Sequence, residues 1–121
     1  MYIQFAELPV VDQERAARFY VDTLGCEVAV DAPMGTDGWR WIELKFAGSE
    51  TTLHFVRRTE GDAADEPVLV LIDDDVTATI ERLRARGVEI LTEPQNPPWK
   101  PERTVAEFRD SEGNRMVVSS R

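Results

Sequence analysis

Apolar residues in the first half of the chain follow two different spacings. Between Asp12 and Gly25 they recur every three or four positions, which predicts an amphipathic helix. From Trp39 to Phe46 they alternate with polar residues, and a short turn leads into a second β-prone run, Thr51 to Arg57. This pattern predicts a β-hairpin, because the turn residues tolerate the positive φ of tight connections. With strands before the helix and over Cys26 to Val30, the first half reads strand, helix and three strands.

The second half repeats this order of elements. The interval from Asp74 to Gly87 equals the interval from Asp12 to Gly25. An aspartate caps a helix by accepting from the free N–H groups of the first turn, and a glycine suits the left-handed residue after the last turn. Strands are then predicted over Val88 to Leu91, Thr104 to Arg109 and Arg115 to Ser120.

Two tandem βαβββ modules therefore account for the chain, over about 1–58 and 67–121, with the acidic segment 59–66 as a solvated linker. The helix of each module covers one face of its sheet and leaves the other face open. We predict an α+β fold in which the two modules form a cupped half-barrel sheet around a concave cavity. Such a cavity is a typical small-molecule site.

The composition fits one domain and excludes several classes of function. Of the 121 residues, 42% are hydrophobic and 31% are charged, as in an ordinary globular domain. The net charge of −9 argues against nucleic acid as a partner, because binding phosphates requires a basic surface. No apolar run approaches the roughly 20 residues that span a bilayer, and the N-terminus lacks a signal-peptide pattern. The single cysteine, Cys26, rules out an internal disulfide, so we predict a cytoplasmic protein without a membrane partner.

Three motifs together resemble the vicinal oxygen chelate superfamily, which includes glyoxalases, bleomycin resistance proteins and extradiol dioxygenases. The first motif starts at Leu8-Pro9-Val10-Val11-Asp12, continues through Arg15 to Tyr20 and closes at Leu24-Gly25. The second is Gly87-Val88-Glu89, and the third is the turn Phe108 to Asn114. They bracket nearly the whole chain, so the resemblance implies a glyoxalase-like fold over its length.

The resemblance also implies where metal-dependent members hold a divalent cation, with His and Glu side chains at four strand positions. In this chain those positions are Phe5, His54, Pro67 (Val68 if the register slips by one) and Val117. Hydrocarbon side chains offer no lone pairs to a metal ion, so three of the four ligands are missing. We therefore expect no metal and no other cofactor, and we do not expect metal-dependent glyoxalase or dioxygenase activity.

Strand alternation places rings and carboxylates together on the concave face. Such a mixture suits a flat aromatic or a cationic organic ligand, through stacking and cation–π contacts. The predicted ligand-binding residues are Phe5, Glu7, Trp39, Trp41, Glu43, Thr52, His54, Pro67, Trp99 and Val117.

Several of these residues have more than one interpretation. Trp39 either contacts the ligand or covers a strand edge or a dimer contact. Trp99 lies in the proline-stiffened segment 93–101, and it is either a lid residue or a contact with a partner subunit. His54 is a hydrogen-bonding ligand contact, a satisfied core histidine, or a general base oriented by Glu7 or Glu43.

The leading hypothesis is a metal-independent small-molecule-binding protein, a homodimer of the drug-sequestering type. The alternative is a divergent glyoxalase- or dioxygenase-type enzyme that uses His54 with or without a metal. A third hypothesis is an interaction or regulatory domain whose cavity is vestigial. A bound-metal assay and the activity of a His54→Ala variant separate the enzyme from the binding protein.

Overall fold

Each half of the chain carries its own four-stranded sheet and its own helix. The structure, a computed structural model, describes residues 1–59, 61 and 63–121 and divides into two units, Met1–Gly61 and Asp62–Arg121. The predicted α+β class is confirmed, with the order strand, helix and three strands in each unit. Of the predicted linker 59–66, Glu60 and Asp62 lie outside the described residues, and the module boundaries at 58 and 67 stay a prediction.

The first unit forms a mixed sheet, and its helical segment connects the first strand to the second along the sequence. Its elements are β1 (Phe5–Val10), α1 (Gln13–Arg18), a π-helical turn (Phe19–Thr23), β2 (Glu27–Pro33), β3 (Arg40–Lys45) and β4 (Thr52–Arg57). The sheet order is β1-β4-β3-β2, with β1 parallel to β4 and the other pairs antiparallel. The buried core combines helical and strand residues: Leu8, Val10, Ala16, Tyr20, Ile42, Leu44 and Phe55.

The second unit repeats this topology. Its elements are β5 (Leu69–Ile72), α2 (Val76–Ala85), β6 (Ile90–Gln95), β7 (Val105–Arg109) and β8 (Arg115–Ser119). The sheet order is β5-β8-β7-β6, with β5 parallel to β8. Its buried core residues are Val76, Ile80, Leu83, Ala106, Phe108, Met116 and Val118. Neither α1 nor α2 nor any other helix among the described residues has the length and hydrophobicity to cross a membrane.

The first helix begins where the sequence predicts, and the second begins one residue later. Asp12 caps α1, because its carboxylate accepts from the N–H of Arg15 at 3.1 Å. The predicted cap Asp74 is wrong, since Asp75 accepts from the N–H of Ala78 at 3.0 Å. The helical segment between cap and glycine is therefore one residue longer in the first unit than in the second. The π-helical turn accommodates the additional residue, because its hydrogen bonds span five residues rather than four.

Both helical segments end as predicted before a glycine with positive φ, Gly25 at 77° and Gly87 at 79°.

The strands agree with the predicted hairpins, and β6 is the main exception. The predicted strand ends at Leu91, but β6 continues to Gln95 and takes in three residues of the predicted loop 93–101. This is an edge strand whose pairing with β7 shifts register, so Pro94 is tolerated where no neighbour requires its N–H.

Candidate functional site

One row of polar residues crosses three neighbouring strands of the first unit. Glu7 of β1 and Glu43 of β3 are both Cα partners of His54 on β4. Side chains alternate along a strand, and the adjacent residues Leu8 and Leu44 lie in the core. The row therefore lies on the face of the sheet opposite to the core, with the imidazole between two carboxylate-bearing residues.

Glu7 fixes the orientation of the His54 ring. Nδ1 of His54 lies 2.7 Å from Oε2 of Glu7, and because a carboxylate only accepts, the hydrogen belongs to Nδ1. In the neutral imidazole, this tautomer leaves Nε2 as a lone-pair acceptor. Nε2 is buried and has no hydrogen-bond partner among the described residues. The Glu7 side chain, in contrast, is 50% exposed.

Two aromatic rings enclose the imidazole. The indole of Trp41 stacks on His54 with 3.8 Å between ring centroids and 26° between planes. Phe5 tilts against His54 at 5.1 Å and meets Trp41 edge-on at 5.8 Å. These contacts leave His54 only 7% exposed, and the three residues form a continuous aromatic cluster.

Glu43 is held by neutral donors on its own face of the sheet. Nε1 of Trp41 donates to its Oε2, and the hydroxyl of Thr52 donates to its Oε1, both at 2.7 Å. These hydrogen bonds, the indole bond first, hold the pKa of Glu43 below its usual range. Both oxygens of Glu43 are therefore engaged, and Glu7 is the carboxylate that is more open to solvent.

A pocket of about 540 Å³ lies next to this cluster within the first unit. Trp39 and His54 contribute to its wall, together with Asp37 and Arg57. The guanidinium of Arg57 lies 4.5 Å from the ring centroid of Trp39 and pairs with Asp37 at 3.1 Å. Trp39 was predicted to lie in the strand, but it comes just before β3. Its ring contacts a cation within the chain, the guanidinium of Arg57.

The structure brings the predicted ligand-binding residues together in two groups, one in each unit. In the first unit, the contacts above join Phe5, Glu7, Trp41, Glu43, Thr52 and His54, and Trp39 shares the pocket wall with His54. In the second unit, Pro67, Trp99 and Val117 line a separate pocket of about 440 Å³. The ligand-binding role of both groups stays a prediction.

The register of the second unit corrects one ligand position that the resemblance implies. Because the cap of α2 lies one residue later than predicted, the position that matches Phe5 is Val68 and not Pro67. The strand pairing agrees with this shift, since Val70 lies opposite Val117. Val68 is as apolar as Pro67, so the correction adds no donor atom.

The donor atoms that are present do not fit a divalent metal. Both oxygens of Glu43 accept hydrogen bonds, and Nδ1 of His54 is bound to Glu7. A protein metal site needs several lone-pair donors that converge on one point. Across the described ranges 1–59, 61 and 63–121, no three His, Cys, Asp or Glu side chains are arranged to hold a metal ion.

Comparison with known proteins places this topology in a family. The family model described as the Glyoxalase/Bleomycin resistance protein/Dioxygenase superfamily matches residues 2–118. The chain belongs to this superfamily. It is also 32% identical over 111 residues to the uncharacterized protein YetH of Bacillus subtilis (strain 168), covering 90% of this chain and 89% of that protein.

Solved structures share the fold over nearly the full length of the chain. TnmS3, an antibiotic binding protein from Streptomyces sp. CB03234, has a TM-score of 0.80 at 32% identity and covers 99% of this chain and 95% of its own. A superfamily member from Sphaerobacter thermophilus DSM 20745 has a TM-score of 0.86 at 26% identity, with 100% and 98% covered. The predicted glyoxalase-like fold is confirmed.

Cationic residues of both pockets were not among the predicted site residues. Arg57 lines the pocket of the first unit, and Arg103 lines that of the second. The internal repeat contained a signal for Arg103, which precedes Glu107 by the interval that separates Trp39 from Glu43. This correspondence concerns strand faces, whereas the predicted repeat rests on helix caps and turns.

Proposed function

We propose that this superfamily member binds a small planar aromatic cation without the help of a metal ion. The observation that carries the proposal is the buried Nε2 of His54, which has no partner among the described residues, in a ring whose Nδ1 is bound to the half-exposed carboxylate of Glu7. A buried polar atom without a partner costs about 1–3 kcal/mol. A ligand that donates a hydrogen bond to Nε2 recovers this free energy.

Each feature of the cluster selects one property of the ligand. The lone pair on Nε2 of His54 selects an N–H donor. The carboxylate of Glu7 selects a positive charge, and the stacked indole of Trp41 favours a flat aromatic ring. The net charge of −9 adds a long-range attraction for cations. Binding of planar aromatic cations is the chemistry that a drug-sequestering protein needs. The similarity to the antibiotic binding protein TnmS3 supports this role.

Proflavine, a planar acridine cation with amino donors, is a suitable probe for titration calorimetry. We expect saturable binding that is unchanged by a metal chelator, and no stoichiometric metal in the purified protein. Trp41→Leu removes the ring and weakens binding by about tenfold. Glu7→Gln keeps the shape but removes the charge of an exposed group, and it weakens binding by about fivefold.

Glu50→Gln is the matched control, because Glu50 is an exposed carboxylate of the same unit outside the cluster. An equal loss of affinity in this control means that only the general negative charge attracts proflavine. If proflavine no longer binds when a metal chelator is added, binding depends on a metal ion and the proposal is contradicted. Near-stoichiometric metal that disappears in a His54→Ala variant returns the chain to the metal-dependent enzymes.

A second candidate function is acid–base catalysis without a metal, and the His54–Glu7 pair favours it. A base oriented by a carboxylate through one nitrogen, with the other nitrogen unengaged, is the arrangement that general base catalysis requires. The hemithioacetal of methylglyoxal and glutathione tests this function. Turnover that survives the chelator and is lost in His54→Gln supports the enzyme, whereas binding without turnover supports the sequestering protein.

Assembly and location complete the proposal. We expect a homodimer, and exposed apolar side chains of the first unit, Val28 and Val30 on the edge strand β2 and Met34 after it, are available to a second copy. Light scattering after gel filtration measures the mass, and a monomer at micromolar concentration contradicts the dimer.

A cytoplasmic location stays a prediction, supported by a buried lone cysteine, Cys26, whose pKa burial raises to about 12.

A further inference from the structure

The pocket of the second unit differs in chemistry from the site around His54. Hydrocarbon from three strands forms much of its wall, through Val70, Val105 and Val117. Val70 is 62% exposed, and Trp99, which also lines the pocket, is 76% exposed. Large apolar side chains that stay exposed around one concavity are typical of a binding site.

Two cationic side chains, Lys100 and Arg103, line the same pocket. Lys100 has an exposed partner, since its Nζ lies 3.2 Å from Oε1 of Glu102. Arg103 is partly buried, and no carboxylate of the described residues lies within ion-pair distance of its guanidinium. A guanidinium placed against hydrocarbon without an anionic partner favours an anionic ligand.

Glu107 also lines the pocket, but it does not neutralise Arg103. Arg115 donates two hydrogen bonds to its carboxylate, from Nε at 2.7 Å and from Nη2 at 3.1 Å. The hydroxyl of Thr92 donates a third at 2.9 Å. The bond from Arg115 is the main reason that the pKa of Glu107 lies below its usual range. The charge of Glu107 is thus balanced by Arg115, and Arg103 remains the lining charge without a counterion.

We infer that this pocket binds a small organic anion, an aromatic or branched hydrocarbon that carries a carboxylate. The carboxylate pairs with the guanidinium of Arg103 through two parallel hydrogen bonds. The hydrocarbon body packs against Val105, Val117 and the ring of Trp99. This inference is independent of cation binding at His54, because it concerns other residues, the opposite charge and the other unit.

Naphthoate tests the inference, with naphthamide as a neutral probe of nearly the same shape. We expect naphthoate to bind about tenfold more tightly than naphthamide, and the difference to shrink as salt is added. The three tryptophans give three indole N–H signals in NMR spectra, and a Trp99→Phe variant assigns one of them. The Trp99 signal shifts on titration with naphthoate, while those of Trp39 and Trp41 stay in place.

Arg103→Gln removes the charge, and we expect it to weaken naphthoate by about tenfold while leaving naphthamide unchanged. Arg103→Lys keeps the charge without the fork and gives an intermediate affinity. Arg82→Gln is the matched control, because Arg82 is an exposed residue of α2 outside the pocket. Thermal unfolding shows whether each variant is folded before it is titrated.

Three results overturn the inference. The first is equal affinity for naphthoate and naphthamide, the second is no binding at millimolar concentration, and the third is a shift confined to Trp39 and Trp41. The proflavine titration reports on the His54 site alone, so failure of one proposal is distinguishable from failure of the other.

Discussion

The two units share one topology but present different chemistry on the face opposite to the core. In each unit the first strand runs parallel to the last and lies at the edge of the sheet. At matching positions of this strand pair, the first unit has Glu7 opposite His54, and the second has Val70 opposite Val117. The same backbone therefore supports a polar aromatic surface in one unit and a hydrocarbon surface in the other.

One matching position keeps its residue and changes its partners. Glu43 is paired in register with His54, and Glu107 is paired in register with Val117. Glu43 accepts from a neutral indole and a hydroxyl, whereas Glu107 accepts from the guanidinium of Arg115. The repeat thus fixes where a side chain lies, while its neighbours fix what charge the surface presents.

Two core substitutions test whether the two hydrophobic cores stabilise their units equally. Leu44 and Phe108 follow the paired glutamates, and both are fully buried. We expect Leu44→Ala to lower the free energy of unfolding by about 2–5 kcal/mol and Phe108→Ala by about 3–5 kcal/mol, because each leaves a cavity. Urea unfolding followed by circular dichroism measures both.

Val117→Ala is the control for these two substitutions, since Val117 lies on the opposite face of β8 from the core residue Val118. We expect a loss of about 1 kcal/mol or less in this variant. If one of the two core variants is as mild as the control, the units do not rest on equivalent cores.

A smaller effect compares the paired glutamates directly. The pKa of each lies below its usual range in the folded protein, through Trp41 for Glu43 and through Arg115 for Glu107. Each therefore adds stability above the usual glutamate pKa, and this stability is lost as the pH falls through the lowered value. We expect Glu107→Gln and Glu43→Gln each to lower the free energy of unfolding by about 1 kcal/mol near neutral pH.

The effects of the two glutamate substitutions on stability should differ in their dependence on salt concentration. Screening at about 1 M ionic strength weakens the ion pair of Glu107 with Arg115, so the effect of Glu107→Gln should shrink. The donors to Glu43 are uncharged, so the effect of Glu43→Gln should persist. Urea unfolding at two salt concentrations and at acidic and neutral pH measures both dependences, and equal salt sensitivity contradicts the assigned partners.

The composition of the His54 cluster could be predicted because alternation is a local property of each strand. Phe5 and Glu7 are two residues apart, as are Trp41 and Glu43, so each pair lies on one face. The hydrogen bonds within the cluster could not be predicted in the same way. That His54 bonds to Glu7 rather than to Glu43 depends on rotamers across three strands, which no spacing within one strand encodes.

The pairing of Arg57 with Trp39 was missed for a related reason. Arg57 ends β4, and Trp39 lies just before β3, so their contact depends on how the hairpin closes rather than on either segment alone. Pro94 lies in β6, although the proline-rich segment 93–101 was predicted to be a stiff loop. The edge position that makes it acceptable is a property of the sheet and not of the segment.

Substitutions at the helix caps test the one-residue difference between the two helical segments. Asp12→Ala and Asp75→Ala each remove an observed cap and should lower the free energy of unfolding by about 1 kcal/mol. Asp74→Ala is the matched control, because within the described part of the chain Asp74 makes only an exposed pair with Arg121, and it should stay within about 0.5 kcal/mol of the parent protein. Thermal unfolding of the three variants orders them. If Asp74→Ala is the more destabilising of the adjacent pair, the second helix begins where the repeat predicts, and the π-helical turn no longer has an extra residue to accommodate.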